Sequence, residues 1–544
     1  MIKSTFQLII FLVGFQFSLF SQSNGFEVIK NLELIDLIYL NLEKYYVDNP
    51  KTGAISKAGI DAMLNELDPY TVFYHEANIE DYRMMTTGQY GGIGALIRKK
   101  GDYVVVAEPY EGNPAQIAGL RAGDIILAID GRDMKGKDTE EVSNALKGTK
   151  GTSIEVKYDR PFVGEGTISI KRDEIKLPDV PYSGLLDNNI GYIKLSSFTQ
   201  TASKSVIDAF EQLQSEGMDK LILDLRGNGG GLLIESVDIV NMFVPKDQLV
   251  VQTKARIKEE NRTYKTRNKP LDLSIPIVVL IDEGSASASE IVSGSLQDLD
   301  RAVVVGRTSF GKGLVQRTVD LKYGSKMKLT IAKYYTPSGR CVQKLDYYHK
   351  NDGKVDEVPD SLITIFHTKN GREVIDGRGI EPDVKIEGEK LGRLTATLMV
   401  ENIVFDYATK FAHENPTIND PKEFYLSEED YNEFKKHVLA QTFEYSSRSE
   451  EKLKSVLETA KAEGYDALIE HEYEALLKKV KGSKEKDLVL YENQIKELLQ
   501  NEIVSRYYYQ NGRTLNAFRT DEMLKEGIAI LNDMNRYKAI LKTN

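Results

Sequence analysis

The stretch Ile275-Pro276-Ile277-Val278-Val279-Leu280-Ile281-Asp282-Glu283-Gly284-Ser285-Ala286-Ser287-Ala288-Ser289-Glu290-Ile291-Val292-Ser293-Gly294-Ser295-Leu296 decides the fold. Its first part is an unbroken apolar run, the pattern of a strand buried on both faces of a sheet. Its last part reads as a helix. Between them small residues surround a serine at a strand-to-helix turn, which leaves a hydroxyl accessible and backbone N–H groups exposed at the helix start. Outward from it, Ile190–Leu195, Lys220–Leu225 and Ala302–Val305 are further apolar runs separated by helix-like segments. That alternation predicts an α/β core with strands at its centre.

The chain has 544 residues, enough for about three to five domains. Hydrophobic residues make up 41% and charged residues 28%, a globular balance, so a disordered tail or a single short element is excluded. The net charge of −11 argues against a general nucleic-acid binder, which carries a basic face. A single cysteine, Cys341, excludes an intrachain disulfide framework and a multi-cysteine zinc site, and it reads as a packed thiol.

Composition shifts mark the expected boundaries. Residues 1–21 read as a signal peptide: Lys3 precedes an apolar run from Phe6 to Phe20, too short to span a bilayer, and the chain then turns polar. That implies an exported protein, periplasmic or secreted, with an uncleaved membrane anchor as the lesser alternative. Residues 26–85 read as helical, with a break at Asp68-Pro69-Tyr70. Glycine clusters between β-branched runs set apart 86–173. Pro178 and Pro181 mark a linker into the α/β region, 178–385. Over 394–544, Gly and Pro nearly vanish and Glu, Lys, Leu and Ala recur at helical spacing. These helices are most simply solvated faces around modest cores, with a homodimer or adaptor contact as the alternative.

Within 86–173, Tyr90-Gly91-Gly92-Ile93-Gly94-Ala95-Leu96-Ile97 is a glycine loop entering a strand, and such a loop lets successive N–H groups converge on a carboxylate. Farther on stands Gly112-Asn113-Pro114-Ala115-Gln116-Ile117-Ala118-Gly119-Leu120-Arg121-Ala122-Gly123-Asp124-Ile125-Ile126-Leu127-Ala128-Ile129-Asp130-Gly131. This run resembles the hallmark stretch of PDZ domains. The resemblance implies a receptor that adds a peptide's last residues as a strand and holds the terminal carboxylate on the amides of Gly92, Ile93 and Gly94. A helix over Glu140–Lys147 would close that groove. Val142 and Leu146, four apart, would share one of its faces, and two readings stay open for them: groove lining or plain core.

Three motifs are decoys. Gly306-Arg307-Thr308-Ser309-Phe310-Gly311-Lys312 has P-loop spacing, but Gly313 stands where a magnesium-binding hydroxyl is needed and Leu314–Val319 reads as a strand. Gly227-Asn228-Gly229-Gly230-Gly231 lacks the serine of a trypsin-like nucleophile loop. The His-Glu pairs at 75, 413 and 471 lack the second histidine of a zinc helix, so neither a metal nor a cofactor is expected.

What survives is Ser287 with Lys312, 25 residues later, in Phe310-Gly311-Lys312-Gly313-Leu314-Val315-Gln316. Lys312 and Gln316 differ by an even number, so on one strand they would share a face. A serine hydroxyl needs a positioned base, and a lysine can serve only if burial among apolar strands disfavours its charged form. Ser287-Ala288-Ser289-Glu290 also has the form of a capping box, and Ser285 and Ser289 are rivals within the motif.

Here the chain resembles the C-terminal processing peptidases, also called tail-specific proteases. The likeness rests on the PDZ run, Asp224-Leu225-Arg226-Gly227-Asn228-Gly229-Gly230-Gly231, Gly284–Glu290 with Phe310–Gln316, Lys333–Arg340 and Asp376–Asp383, and covers roughly 60 to 385. It implies a peptidase core of ClpP/crotonase type, with an inserted PDZ domain and helical terminal regions. It implies Ser287 as nucleophile, Lys312 as general base and Gln316 as the residue orienting the lysine. The Ala288 amide, with that of Gly230 or Gly231, would form the oxyanion hole, and Glu290 would support the site. Gly229 stands where many members carry proline. The expected activity is that of a serine endopeptidase acting on proteins with exposed, unstructured C-terminal tails. The alternative is a PDZ scaffold with a dead peptidase core. Asp224 and Arg226, at a strand end, read as a structural ion pair.

Overall fold

A computed structural model describes residues 25–75, 79–351, 353–388 and 390–542. The expected signal peptide, 1–21, lies outside the described residues. Among the described residues, no helix is long and apolar enough to cross a membrane. The described residues divide into two compact units: 25–75 with 316–330, and the remainder, 79–315 with 331–542.

The larger unit is built on a six-stranded sheet. Its order is Tyr182–Leu186, Ile190–Lys194, Lys220–Asp224, Ile277–Ile281, Val303–Gly306 and Val384–Lys385. The first pair is antiparallel and the others are parallel. The apolar runs have the predicted consequence: alternate residues serve opposite faces, and both faces are buried. Leu221, Leu223, Val279 and Ile281 face one core with helices Ala202–Ser215, Leu233–Asn241 and Ala288–Asp298. In the first of these helices Val206, Ala209, Phe210 and Leu213 recur at helical spacing and are all buried.

The opposite sheet face corrects the picture of one helical tail over 394–544. Ile222, Val278, Leu280, Val303 and Val305 pack against Leu524, Ile530, Leu531, Tyr537 and Leu541 from helices Glu522–Asn532 and Met534–Leu541. The last two helices therefore spend their apolar faces on the peptidase sheet. The preceding helices build a separate core around Leu394, Tyr407, Tyr431, Phe434, Ile495 and Ile503. Apolar spacing alone marks a helix as amphipathic without saying which surface it covers.

Residues 95–171 form the glycine-rich module. Strands Ala95–Lys100, Tyr103–Pro109, Ile125–Ile129, Ser153–Arg160 and Gly164–Lys171 pair antiparallel in that order. Helices Pro114–Ala118 and Thr139–Leu146 complete it. Asp138 caps the second helix by accepting from the Glu141 amide. Gln89–Gly92 pairs with Asp173–Lys176 at the module's entry and exit.

In the smaller unit residues 25–45 and Thr52–Asn65 are helical. After the Asp68-Pro69-Tyr70 break, Val72–Tyr74 is a strand, not the helix expected there, and pairs antiparallel with Lys326–Lys328. Here a cross-strand partner overrides local spacing.

Candidate functional site

Ser287 is the last residue of the turn between strand Ile277–Ile281 and helix Ala288–Asp298. Its backbone has φ 56° and ψ −111°, a conformation that favours glycine. A serine held there marks a turn dictated by its surroundings. Those surroundings also separate the three serines. Ser285 and Ser289 are both 0% exposed. The Ser285 hydroxyl donates to Leu225 O at 2.9 Å, and that of Ser289 donates to Asn228 O at 2.8 Å. Ser287 alone of the three is half-exposed.

The turn is joined to the Lys312 loop by Glu290. Its carboxylate accepts four hydrogen bonds: Oε1 takes the Ser309 hydroxyl at 2.6 Å and the Gly311 amide at 2.7 Å, while Oε2 takes the Ser287 amide at 2.7 Å and the Lys312 amide at 2.9 Å. One carboxylate oxygen thus fixes the backbones of both proposed partners. Burial pushes the Glu290 carboxyl above the ordinary glutamate range, and the four donors oppose that shift. Phe310 N–H donates to Ser285 O at 3.0 Å, a second tie between turn and loop.

Lys312 lies before strand Leu314–Asp320, not in it. The even spacing to Gln316 therefore does not put the two on one strand face, because alternation begins only at Leu314. The strand itself completes the case against a P-loop, which needs a helix there. Gln316 lies in the smaller unit, where its Nε2 donates to Thr330 Oγ1 at 3.1 Å.

The glycine loop is held against the serine turn through Asn228. Its Nδ2 donates to Leu195 O at 2.7 Å, and its carbonyl accepts the Ala286 amide at 3.0 Å. Its Oδ1 accepts the Gly230 amide at 2.9 Å, so Gly230 N–H is already engaged. The Gly231 amide has no acceptor among the described residues. Gly230, at φ +96°, has a specific steric reason to be glycine: a Cβ there would sit 2.6 Å from Ala286 O and 2.8 Å from Ser287 Cβ.

Several supporting residues escaped sequence reasoning. Asn228 sits inside a glycine run, which carries no local signal of these bonds. Ser309 donates to Glu290 and also accepts the Ile380 amide at 2.7 Å, which gives the Asp376–Asp383 block a role behind the lysine loop. Tyr334 donates its hydroxyl to Ser287 O at 3.2 Å. The blocks holding Tyr334 and Ile380 were visible, but nothing local in them signals which turn they brace. Asp224 and Arg226 form the expected ion pair at 2.6 Å, extended to Asp521 at 2.7 Å. Although burial opposes it, Arg226 holds the Asp224 carboxyl below its usual range. Asp521 also caps helix Glu522–Asn532 through the Leu524 amide, which ties the last helices to the sheet.

In the glycine-rich module, the carbonyls of Ile93 and Gly94 accept from Ala115 at 2.7 Å and Tyr110 at 2.9 Å. The amides of both residues find no acceptor among the described residues. Gly92 lies at the end of the Gln89–Gly92 strand. Val142 and Leu146 are 0% and 5% exposed and belong to the module's core with Ile93, Val104 and Ile126. Of the two readings open for them, core packing describes their surroundings.

Comparison with known proteins places the pieces. Residues 189–348 match the family described as Peptidase family S41, residues 105–160 match a PDZ domain, and residues 394–531 match the family described as Probable PDZ-protease, C-terminal helical domain. The carboxy-terminal processing protease CtpA of Bacillus subtilis (strain 168) is 31% identical over 338 residues, covering 62% of this chain and 72% of that protein. A probable CtpA-like serine protease of Staphylococcus aureus (strain MRSA252) is 34% identical over 370 residues, covering 66% and 72%. Among solved structures, a photosystem II D1 C-terminal processing protease aligns at 29% identity over 66% of this chain and 88% of that one, with a TM-score of 0.37.

Proposed function

Because the chain belongs to the carboxy-terminal processing proteases of peptidase family S41, serine proteases with a PDZ domain, we propose that Ser287 is its nucleophile and Lys312 its general base. The observation that carries this reading is the shared Glu290 oxygen, which fixes the backbone of an accessible, conformationally constrained serine and of a glycine-flanked lysine to one anchor.

The chemistry follows from the residue types. Neutral Lys312 takes the proton from Ser287 Oγ as the oxygen attacks the scissile carbonyl. The tetrahedral oxyanion is received by the Ala288 amide at the helix start and by Gly231, whose amide is unspent where that of Gly230 is engaged. The lysine ammonium then passes its proton to the departing amine. Water, deprotonated by the same lysine, hydrolyses the acyl-serine and returns the hydroxyl. A free lysine is protonated at neutral pH, so this role requires surroundings that disfavour the ammonium. Gln316, four residues farther along the chain, would orient the lysine amine.

The PDZ domain would deliver the substrate. The amides of Ile93 and Gly94, with Gly92 before them, would take the terminal carboxylate of an unstructured protein tail, which adds as a strand. Val142 and Leu146 would support that groove from beneath. The core would share the ClpP/crotonase arrangement. Lys3 and the apolar run to Phe20 favour export to the periplasm or beyond after cleavage near residue 21.

The test is to incubate the purified chain with an unfolded protein carrying, or lacking, an apolar C-terminal tail. Cleavage that requires both the tail and Ser287 is expected. Cleavage by Ser287→Ala at the wild-type rate would refute the assignment.

A further inference from the structure

The smaller unit contains a chain of hydrogen bonds whose direction is fixed from one end. Asp68 is 7% exposed and sits at the Asp68-Pro69-Tyr70-Thr71 turn. As a carboxylate it only accepts. Its Oδ1 takes the Tyr70 and Thr71 amides, both at 2.8 Å, and the Thr330 hydroxyl at 3.2 Å. Its Oδ2 takes the Thr71 hydroxyl at 3.1 Å. Thr71, 1% exposed, has thereby given up its proton and accepts the Thr330 amide at 3.2 Å.

The Thr330 hydroxyl has likewise given its proton to Asp68, so toward Gln316 it can only accept. It faces the NH₂ end of the Gln316 amide at 3.1 Å. An amide's two ends differ in hydrogen-bond sense, and its neighbours decide which way it points. We infer that Thr330, held by Asp68, is a positioning residue for the protease: it fixes the Gln316 side chain with Nε2 inward and Oε1 turned away. Oε1 is the end that can accept from a proton-bearing nitrogen, which is what orienting a lysine amine requires. Reversal of the amide would present two donors instead. The Asp68–Thr71 turn thereby sets the polarity of a residue in the catalytic machinery. The inference rests on the proposed role of Gln316 beside the Ser287–Lys312 pair.

The test uses the full chain and five variants: Thr330→Val, Thr330→Ser, Gln316→Ala, Thr330→Val with Gln316→Ala, and Ser287→Ala as the inactive reference. Thr330→Val keeps the shape of the side chain and removes the hydroxyl. It is expected to lower kcat on the order of tenfold with KM unchanged, the scale of one lost orienting hydrogen bond. Thr330→Ser, which retains the hydroxyl, is expected within about twofold of wild type by the same reasoning. In the Gln316→Ala background, Thr330→Val should cost nothing further, because its effect passes through the missing amide. Equal losses in both backgrounds, or no loss in the wild type, would overturn the inference and leave the role of Gln316 standing. Wild-type kcat in Gln316→Ala, with Ser287→Ala dead, would instead remove Gln316 from the machinery and the inference with it.

Discussion

In the peptidase core, the loop at 227–231 has spent most of its polar groups inside the fold; at the entry to the glycine-rich module, the loop at 90–94 has kept its donors back. Gly227 N–H donates to Asp282, Gly230 N–H to Asn228 Oδ1, and the Asn228 carbonyl receives both the Ala286 amide and the Ser289 hydroxyl. The Gly231 amide is left over among the described residues. In the 90–94 loop it is the carbonyls of Gly91, Ile93 and Gly94 that are anchored, by Gly148, Ala115 and Tyr110. The Ile93 and Gly94 amides face no acceptor among the described residues. Glycine serves close packing against Ser287 in one loop, and leaves unpaired amides in the other. Catalysis gains from donors that are already fixed before substrate arrives. Strand addition gains from donors that the fold leaves unpaired until a peptide supplies the acceptor.

The largest expected effect belongs to the fixed loop's neighbour. Ser287→Ala and Lys312→Ala should each lower kcat on the order of 10³-fold or more, since members of such a pair act as a unit. Circular dichroism should show an unchanged fold, and either variant retaining wild-type kcat would break the pairing. Next is Gly230→Ala. The added Cβ would meet Ala286 O and Ser287 Cβ, and φ of +96° already disfavours alanine. A stability loss of about 1–3 kcal/mol in urea denaturation and a kcat loss on the order of 10²-fold are expected. Unchanged kcat would show that this loop is not part of the oxyanion geometry.

The matching PDZ change should read out differently. Gly94→Ala places a Cβ 2.5 Å from Asn113 Cβ at φ +71°, so the loop must shift. Tail-peptide binding by fluorescence anisotropy should weaken about tenfold, the worth of roughly one charge-assisted hydrogen bond. Cleavage of a tail-free peptide should be unaffected. Replacing the peptide's terminal carboxylate by an amide should cost the wild type a similar factor; no cost would remove the carboxylate from the proposal.

The smallest effect is a pH dependence at Glu290. Its carboxyl is raised by burial, so acidification protonates it above the ordinary glutamate range. A proton on either oxygen evicts one of the four donors, and activity should fall by a few-fold through that window. Stability moves the other way. The folded chain holds this proton more tightly than the unfolded one, so acidification from the raised value down to the ordinary glutamate range adds stability. The Tm of the wild type relative to Glu290→Gln should therefore rise as pH falls; a falling difference would contradict the raised pKa.

How much the residues themselves announced depended on how local the cause was. The apolar runs at 190, 220, 277 and 303 announced a doubly buried sheet because burial on both faces leaves no polar alternation. Ser287 could be picked from three serines only by resemblance, since exposure and hydroxyl partners distinguish them and neither is local. The even spacing from Lys312 to Gln316 does not set a shared face, because the strand begins only at Leu314. Val142 and Leu146 share a helix face, but spacing cannot tell whether a face meets core or ligand. The helices at 522–541 looked like the rest of the tail, and only packing shows that they close the sheet's second face. Asn228 and Ser309 are invisible in sequence because their roles consist of bonds to segments tens of residues away.

The central claim is that Ser287 is the activated nucleophile, and covalent labelling tests it most directly. The full chain is treated with a serine-reactive fluorophosphonate, digested and mapped by mass spectrometry, alongside Lys312→Ala. The expected result is one adduct, on Ser287, and its loss when the lysine is removed. An adduct on Ser285 or Ser289, or labelling of Ser287 that is indifferent to Lys312, would contradict the account.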